Sequence, residues 1–81
     1  MTVDDLKQLI LNGFKSAKVQ VIDTKGTGDH FSAIVISDEF EGKTLVQRHQ
    51  MVYSTVSKIL TKELHALQLK TFSSDEWSKN N

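Results

Sequence analysis

The chain has 81 residues, with ten Lys and Arg balanced by ten Asp and Glu, three His and no Cys. That length supports one domain, residues 1–81, which buries roughly 60% of its unfolded surface and folds without disulfides. The neutral total gives no general reason to expect a polyanionic partner. No apolar run approaches the ~20 residues that span a bilayer. Asp4 and Asp5 stand where a secretory leader would need cations, so the reading is a soluble cytoplasmic protein.

Thr2 with Asp5 three residues on is a near capping box. Leu6, Leu9, Ile10 and Phe14 follow helical spacing, which predicts a helix over residues 3–14 with Gly13 at its C-terminal cap. Residues 18–23 alternate, with Val19 and Val21 on one face, and read as a strand. Residues 24–29 hold two glycines and no apolar side chain and form a loop. Residues 30–37 carry Phe31, Ala33 and Val35 on one face and Ile34 and Ile36 on the other, the pattern of a central strand. A turn containing Gly42 leads to a long helix over residues 46–62. Residues 65–72 alternate as a third strand. Ser73 with Glu76 is a capping box for a short last helix bearing Trp77. The order is α+β, and a helix crossing between the second and third strands gives a mixed three-stranded sheet with helices packed on it.

Several pieces of this text occur in a specific order: Asp29-His30-Phe31, Phe40-Glu41-Gly42-Lys43, Arg48-His49 with Val52-Tyr53, His65-Ala66-Leu67 followed by Lys70-Thr71, and then Trp77. Together they resemble the BolA family over nearly the whole chain. The resemblance implies an αββαβ fold like class II KH domains. It also implies partnership with a monothiol glutaredoxin of the Cys-Gly-Phe-Ser type. In such complexes a [2Fe–2S] cluster is held by the glutaredoxin cysteine and a glutathione thiol on one side and the BolA-like protein on the other. No cofactor is expected in the isolated protein. Some family members are described as DNA-binding transcriptional regulators.

The chemistry available for such a cluster is set by the absence of thiol. His65 stands where the family places its C-terminal metal-binding histidine, and imidazole can replace thiolate on one iron of a [2Fe–2S] centre. Read from the residues alone, His65 is first a cap on the C-terminus of the long helix, and it is the resemblance that favours the ligand. Many relatives carry Cys in the loop between the first two strands; here the matching position is Thr27, whose hydroxyl is a poor iron ligand. His30, at the base of that loop, is the nearby nitrogen donor. It is either a second ligand or simply a strand-end residue, with Asp29 a more distant candidate. His49 falls on the apolar face of the long helix with Val52, Tyr53, Val56, Ile59 and Leu60, and reads as a packing residue with a satisfied ring nitrogen.

Arg48, Met51, Thr55, Lys58 and Lys62 follow spacings of 3, 4, 3 and 4 and share one stripe of that helix. No acidic residue occurs from Lys43 through Lys62. The stripe is a candidate surface for an acidic protein or for phosphates, with Lys43 at its start and Gln50 beside it. Ordinary solvation of a helix face is the plainer alternative. Clamping RNA in the KH manner needs a GXXG loop, whereas Gly26 and Gly28 are spaced GxG between strands. Nothing marks a nucleophile elbow or a rigid carboxylate pair, so the expectation is an adaptor with no enzyme activity and no small-molecule substrate.

Overall fold

Each helix begins where a short side chain takes up backbone N–H groups that the first turn leaves unbonded. Thr2 Oγ1 accepts from the Asp5 N–H (3.1 Å), and Asp5 Oδ2 accepts from the Thr2 N–H (3.2 Å). The same reciprocal box recurs at Thr44 and Gln47 and at Ser73 and Glu76. The computed structural model describes residues 2–57 and 66–80, with only the backbone of Ala66 and Asn80. In chain order the elements are α1 (Val3–Asn12), β1 (Lys18–Asp23), β2 (His30–Ile36), a 3-10 turn (Asp38–Phe40), α2 (Leu45–Val56), β3 (Ala66–Phe72) and α3 (Ser74–Asn80).

The expected order is the observed one, and the first strand matches residue for residue. The Thr44 box starts α2 at Leu45, one residue before the expected position. The expected extension of α2 to Lys62 lies outside the described residues. Gly13 does cap α1, its N–H bonding the Ile10 carbonyl (3.0 Å), but with φ −87° it is not left-handed. Its need for glycine is steric. A Cβ on Gly13 would stand 2.1 Å from Thr55 Cγ2, so α1 and α2 approach each other through this position.

The sheet order is β1-β2-β3, with β1 and β2 antiparallel and β2 and β3 parallel. β2 is central, as its two apolar faces predict. The register places Val19 opposite Val35 and Val21 opposite Ala33, and Phe31 opposite Leu67. These alternate residues face the helices, where Leu6, Ile10, Phe40, Val52 and Val56 complete the core. Burying each large apolar side chain here contributes about 1.5–3 kcal/mol. Phe14 meets Phe40 edge-on at 5.4 Å between centroids.

Glu39 ties the 3-10 turn to the α1–β1 connection. Its Oε2 accepts from the N–H groups of Lys15 (2.9 Å) and Ser16 (3.4 Å). Buried Ser37 supports it, donating to the Ser16 carbonyl (2.7 Å) and accepting from the Glu39 N–H (3.1 Å). The opposite face of the sheet carries Lys18, Gln20 and Ile22 of β1, His30, Ser32, Ile34 and Ile36 of β2, and Gln68, Lys70 and Phe72 of β3. α3 shelters one end of this face through Trp77, stacked at a tilt on Phe72 at 5.3 Å.

Candidate functional site

The β1–β2 loop is organised by one carboxylate. Asp23 Oδ1 accepts from the N–H groups of Lys25 (3.2 Å) and Gly26 (2.8 Å), and Oδ2 accepts from the Gly28 N–H (2.8 Å). Partial burial pushes the Asp23 carboxyl up, but the N–H groups of Gly28, Gly26, Lys25 and Thr27 outweigh it and hold the group below its ordinary value. Gly26 and Gly28 take φ of 72° and 77°, the left-handed region that a side chain resists, and so let successive N–H groups turn inward. The loop closes where the Thr24 N–H and hydroxyl both donate to the His30 carbonyl.

His30 opens β2 beyond this loop, and its ring lies against Asp29, Nδ1 to Oδ1 2.8 Å. The same Asp29 oxygen accepts from the Thr27 hydroxyl at 2.5 Å. Thr27 is thus turned into the carboxylate and supports it. With Asp29 ionised, Nδ1 carries the imidazole proton in this pair, and the lone pair of the neutral ring belongs to Nε2. A carboxylate at one ring nitrogen that fixes the tautomer of the other is the usual support of a metal-ligating histidine. The His30 side chain is 30% exposed, and by strand alternation it shares the open sheet face with Ser32 and Ile34. Asp29, expected as a more distant candidate ligand, lies against the imidazole at Nδ1; no local spacing announces that contact.

His65 lies outside the described residues. Ala66, the next residue in the chain, is the β3 partner of His30 across the parallel ladder. Among the described residues, no three His, Cys, Asp or Glu side chains come together.

The helical stripe is corrected by the structure. Arg48 does not project as a docking cation. Its guanidinium forks onto Glu76 of α3, Nη1 to Oε1 2.5 Å and Nη2 to Oε2 3.3 Å. Its Nε donates to the Lys43 carbonyl (3.0 Å), and its side chain is only 12% exposed. The Arg48 guanidinium, helped by the Ser73 N–H, holds the Glu76 carboxyl down at about 2. Met51 packs against the core and Thr55 rests on Gly13. The stripe of Arg48, Met51 and Thr55 thus faces α1 and α3. Periodicity finds residues that share a face but not the direction in which it turns, and only the tertiary pairing with Glu76 distinguishes the two. Lys43 is exposed; Lys58 and Lys62 lie outside the described residues.

The outer side of α2 instead shows Leu45 and Val46, 64% and 66% exposed, with Gln50 and Ser54. His49 packs as expected, edge-on to Tyr53 at 6.3 Å. Its Nε2 is enclosed and has no hydrogen-bond partner among the described residues, which departs from the satisfied nitrogen expected there. Tyr53 reaches the Leu67 carbonyl (3.4 Å) and links α2 to β3. No helix among the described residues is long and apolar enough to cross a membrane.

Comparison with known proteins agrees with this architecture. The DNA-binding transcriptional regulator BolA of Escherichia coli is 30% identical over 84 residues, covering 95% of this chain and 80% of that protein. The structure of a bolA protein homologue from Coxiella burnetii superposes with a TM-score of 0.82 at 37% identity, covering 96% of this chain and 97% of the other. The solution structure of yeast Fra2 gives a TM-score of 0.78 at 32% identity, covering 98% of this chain and 86% of the other. The family model for BolA-like proteins matches residues 10–76. The chain is a member of the BolA family.

Proposed function

We propose that this protein is an adaptor that binds a monothiol glutaredoxin and shares a [2Fe–2S] cluster with it, in cluster trafficking or iron regulation. The cluster is cargo held between two proteins. The glutaredoxin cysteine and glutathione supply thiolates, and this chain supplies imidazole. The observation that carries the reading is the oriented His30. Asp29 holds its Nδ1 at 2.8 Å, on a strand whose first residue is paired with Ala66, the chain neighbour of His65. His65 is the first ligand in this reading and His30 the second. Because imidazole must be neutral to bind metal, protons compete with the cluster, and the shared species is acid-labile. The experiment is to mix the protein with cluster-loaded glutaredoxin and record the visible absorption and circular dichroism. The reading expects a new spectrum with wild type that His65→Ala abolishes or shifts. Identical spectra and affinity for wild type and His65→Ala remove His65 as a ligand.

A second reading, a nucleic-acid-binding regulator, is favoured by the name of the E. coli relative. Its surface is reduced here, because Arg48 is engaged by Glu76 and the cations that remain in the segment are Lys43, Lys58 and Lys62. A few positive charges predict weak and salt-sensitive binding. Titration of duplex DNA at several salt concentrations tests it, and absence of binding at low salt eliminates it.

A further inference from the structure

The open face of the sheet has a chemistry of its own. Across its middle, the register aligns Gln20, Ile34 and Lys70 in one row and Ile22, Ser32 and Gln68 in the next. Ile22 is 64% exposed and Ile34 half-buried, so an apolar centre faces solvent. Lys70 stands beside Ile34, and Lys18 occupies the same face one row away on the other edge strand. Both lysines are exposed, and no ion pair among the described residues takes either. No strand position on this face is a carboxylate: Asp23 belongs to the opposite alternation, and its oxygens are taken by the loop. His30 lies at one end of the same surface.

We infer that this open face, centred on Ile22 and Ile34 and flanked by Lys18 and Lys70, is the docking surface for a protein partner with an apolar patch rimmed by carboxylates. The inference rests on the proposed shared-cluster function and specifies where that partner sits. A group that reaches His30 from outside approaches on this face, since the core and both long helices fill the other. Uncompensated lysines around exposed isoleucines match an acidic rim around an apolar centre, an arrangement that steers encounter and then excludes water. The same surface suits nucleic acid poorly. Its exposed centre is aliphatic, and among its described residues Phe72, the aromatic side chain of the strands on this face other than His30 at its end, is packed by Trp77 and not open for base stacking.

The test is a titration of isotope-labelled protein with monothiol glutaredoxin, with and without cluster, following amide shifts at low and moderate salt. The expected shifts concentrate on β1, β2 and β3 positions of the open face. Ile22→Asp and Lys70→Glu are expected to weaken binding by about tenfold each, whereas Gln50→Glu on the outer side of α2 leaves it unchanged. Ile22 and Lys70 are exposed, and retained amide dispersion checks that the variants fold. Binding by wild type that maps to α2, or that both open-face variants leave intact, overturns this surface while the shared-cluster reading stands. Absence of wild-type binding in every condition overturns both. A single-stranded oligonucleotide that shifts the same face at lower concentration than glutaredoxin overturns the assignment to a protein partner.

Discussion

Substituting Gly13 by Ala tests how closely the two long helices are fitted. The added Cβ would lie 2.1 Å from Thr55 Cγ2 and 3.0 Å from Thr55 Cβ. Ordinary carbon contact is about 3.5–4.0 Å, so α1 and α2 must part by about 1.5 Å or Thr55 must rotate. Rotation is opposed because the Thr55 hydroxyl donates to the Val52 carbonyl at 2.6 Å, which aims the methyl at Gly13. Overpacking of this kind costs about 1–3 kcal/mol. The backbone at Gly13 accepts alanine (φ −87°), and reduced freedom of the unfolded chain returns about 0.4–1 kcal/mol. The expected net loss is about 1–2 kcal/mol in urea unfolding, at about 4–8 °C in Tm per kcal/mol for a domain this size. Thr55→Ser removes the colliding methyl, and the Gly13→Ala/Thr55→Ser pair should recover most of the loss. A Gly13→Ala protein as stable as wild type, or a double variant no better than the single, would refute the argument.

Four further outcomes follow from the ion pair and the loop. Glu76 is held at about 2 against an ordinary 4.5, so its contribution is complete above the ordinary value and is lost as pH falls through the folded one. Acid unfolding should therefore show a stability decline for wild type between about pH 5 and 2 that is weaker in Glu76→Gln. Arg48→Met should loosen α3 from α2, read as faster amide exchange at Trp77, whose N–H bonds the Ser73 carbonyl. Asp29→Ala removes the acceptor that orients His30 and should weaken cluster retention by roughly 10–100-fold with unchanged thermal stability; retention equal to wild type would count against His30. Asp23→Ala should speed amide exchange at Gly26 and Gly28, which bond its carboxylate.

The fold is legible in the sequence because local signals agree with one another. The Thr2/Asp5 and Ser73/Glu76 boxes mark helix starts, and the alternation of β1 and the doubly apolar β2 mark an edge and a centre. A third box, Thr44 with Gln47, was there to be read and fixes the start of α2. What spacing does not carry is direction and tertiary pairing. The stripe through Arg48, Met51 and Thr55 is real as a helical row, yet it turns inward because Glu76 and Gly13 receive it. Asp29 and Thr27 illustrate the same limit in the site: their types are visible, but the shared oxygen that ties Thr27, Asp29 and His30 together arises only when the Asp23-bonded loop closes.

The central claim is that imidazole from this chain binds iron of a cluster held with glutaredoxin. Pulsed electron paramagnetic resonance on the reduced mixed complex, prepared with nitrogen-15 histidine in this protein alone, tests it most directly. The expected result is a strongly coupled histidine nitrogen that disappears in His65→Ala, with any second coupling lost in His30→Ala. A reduced cluster in the intact complex with no coupled nitrogen from this chain would contradict it.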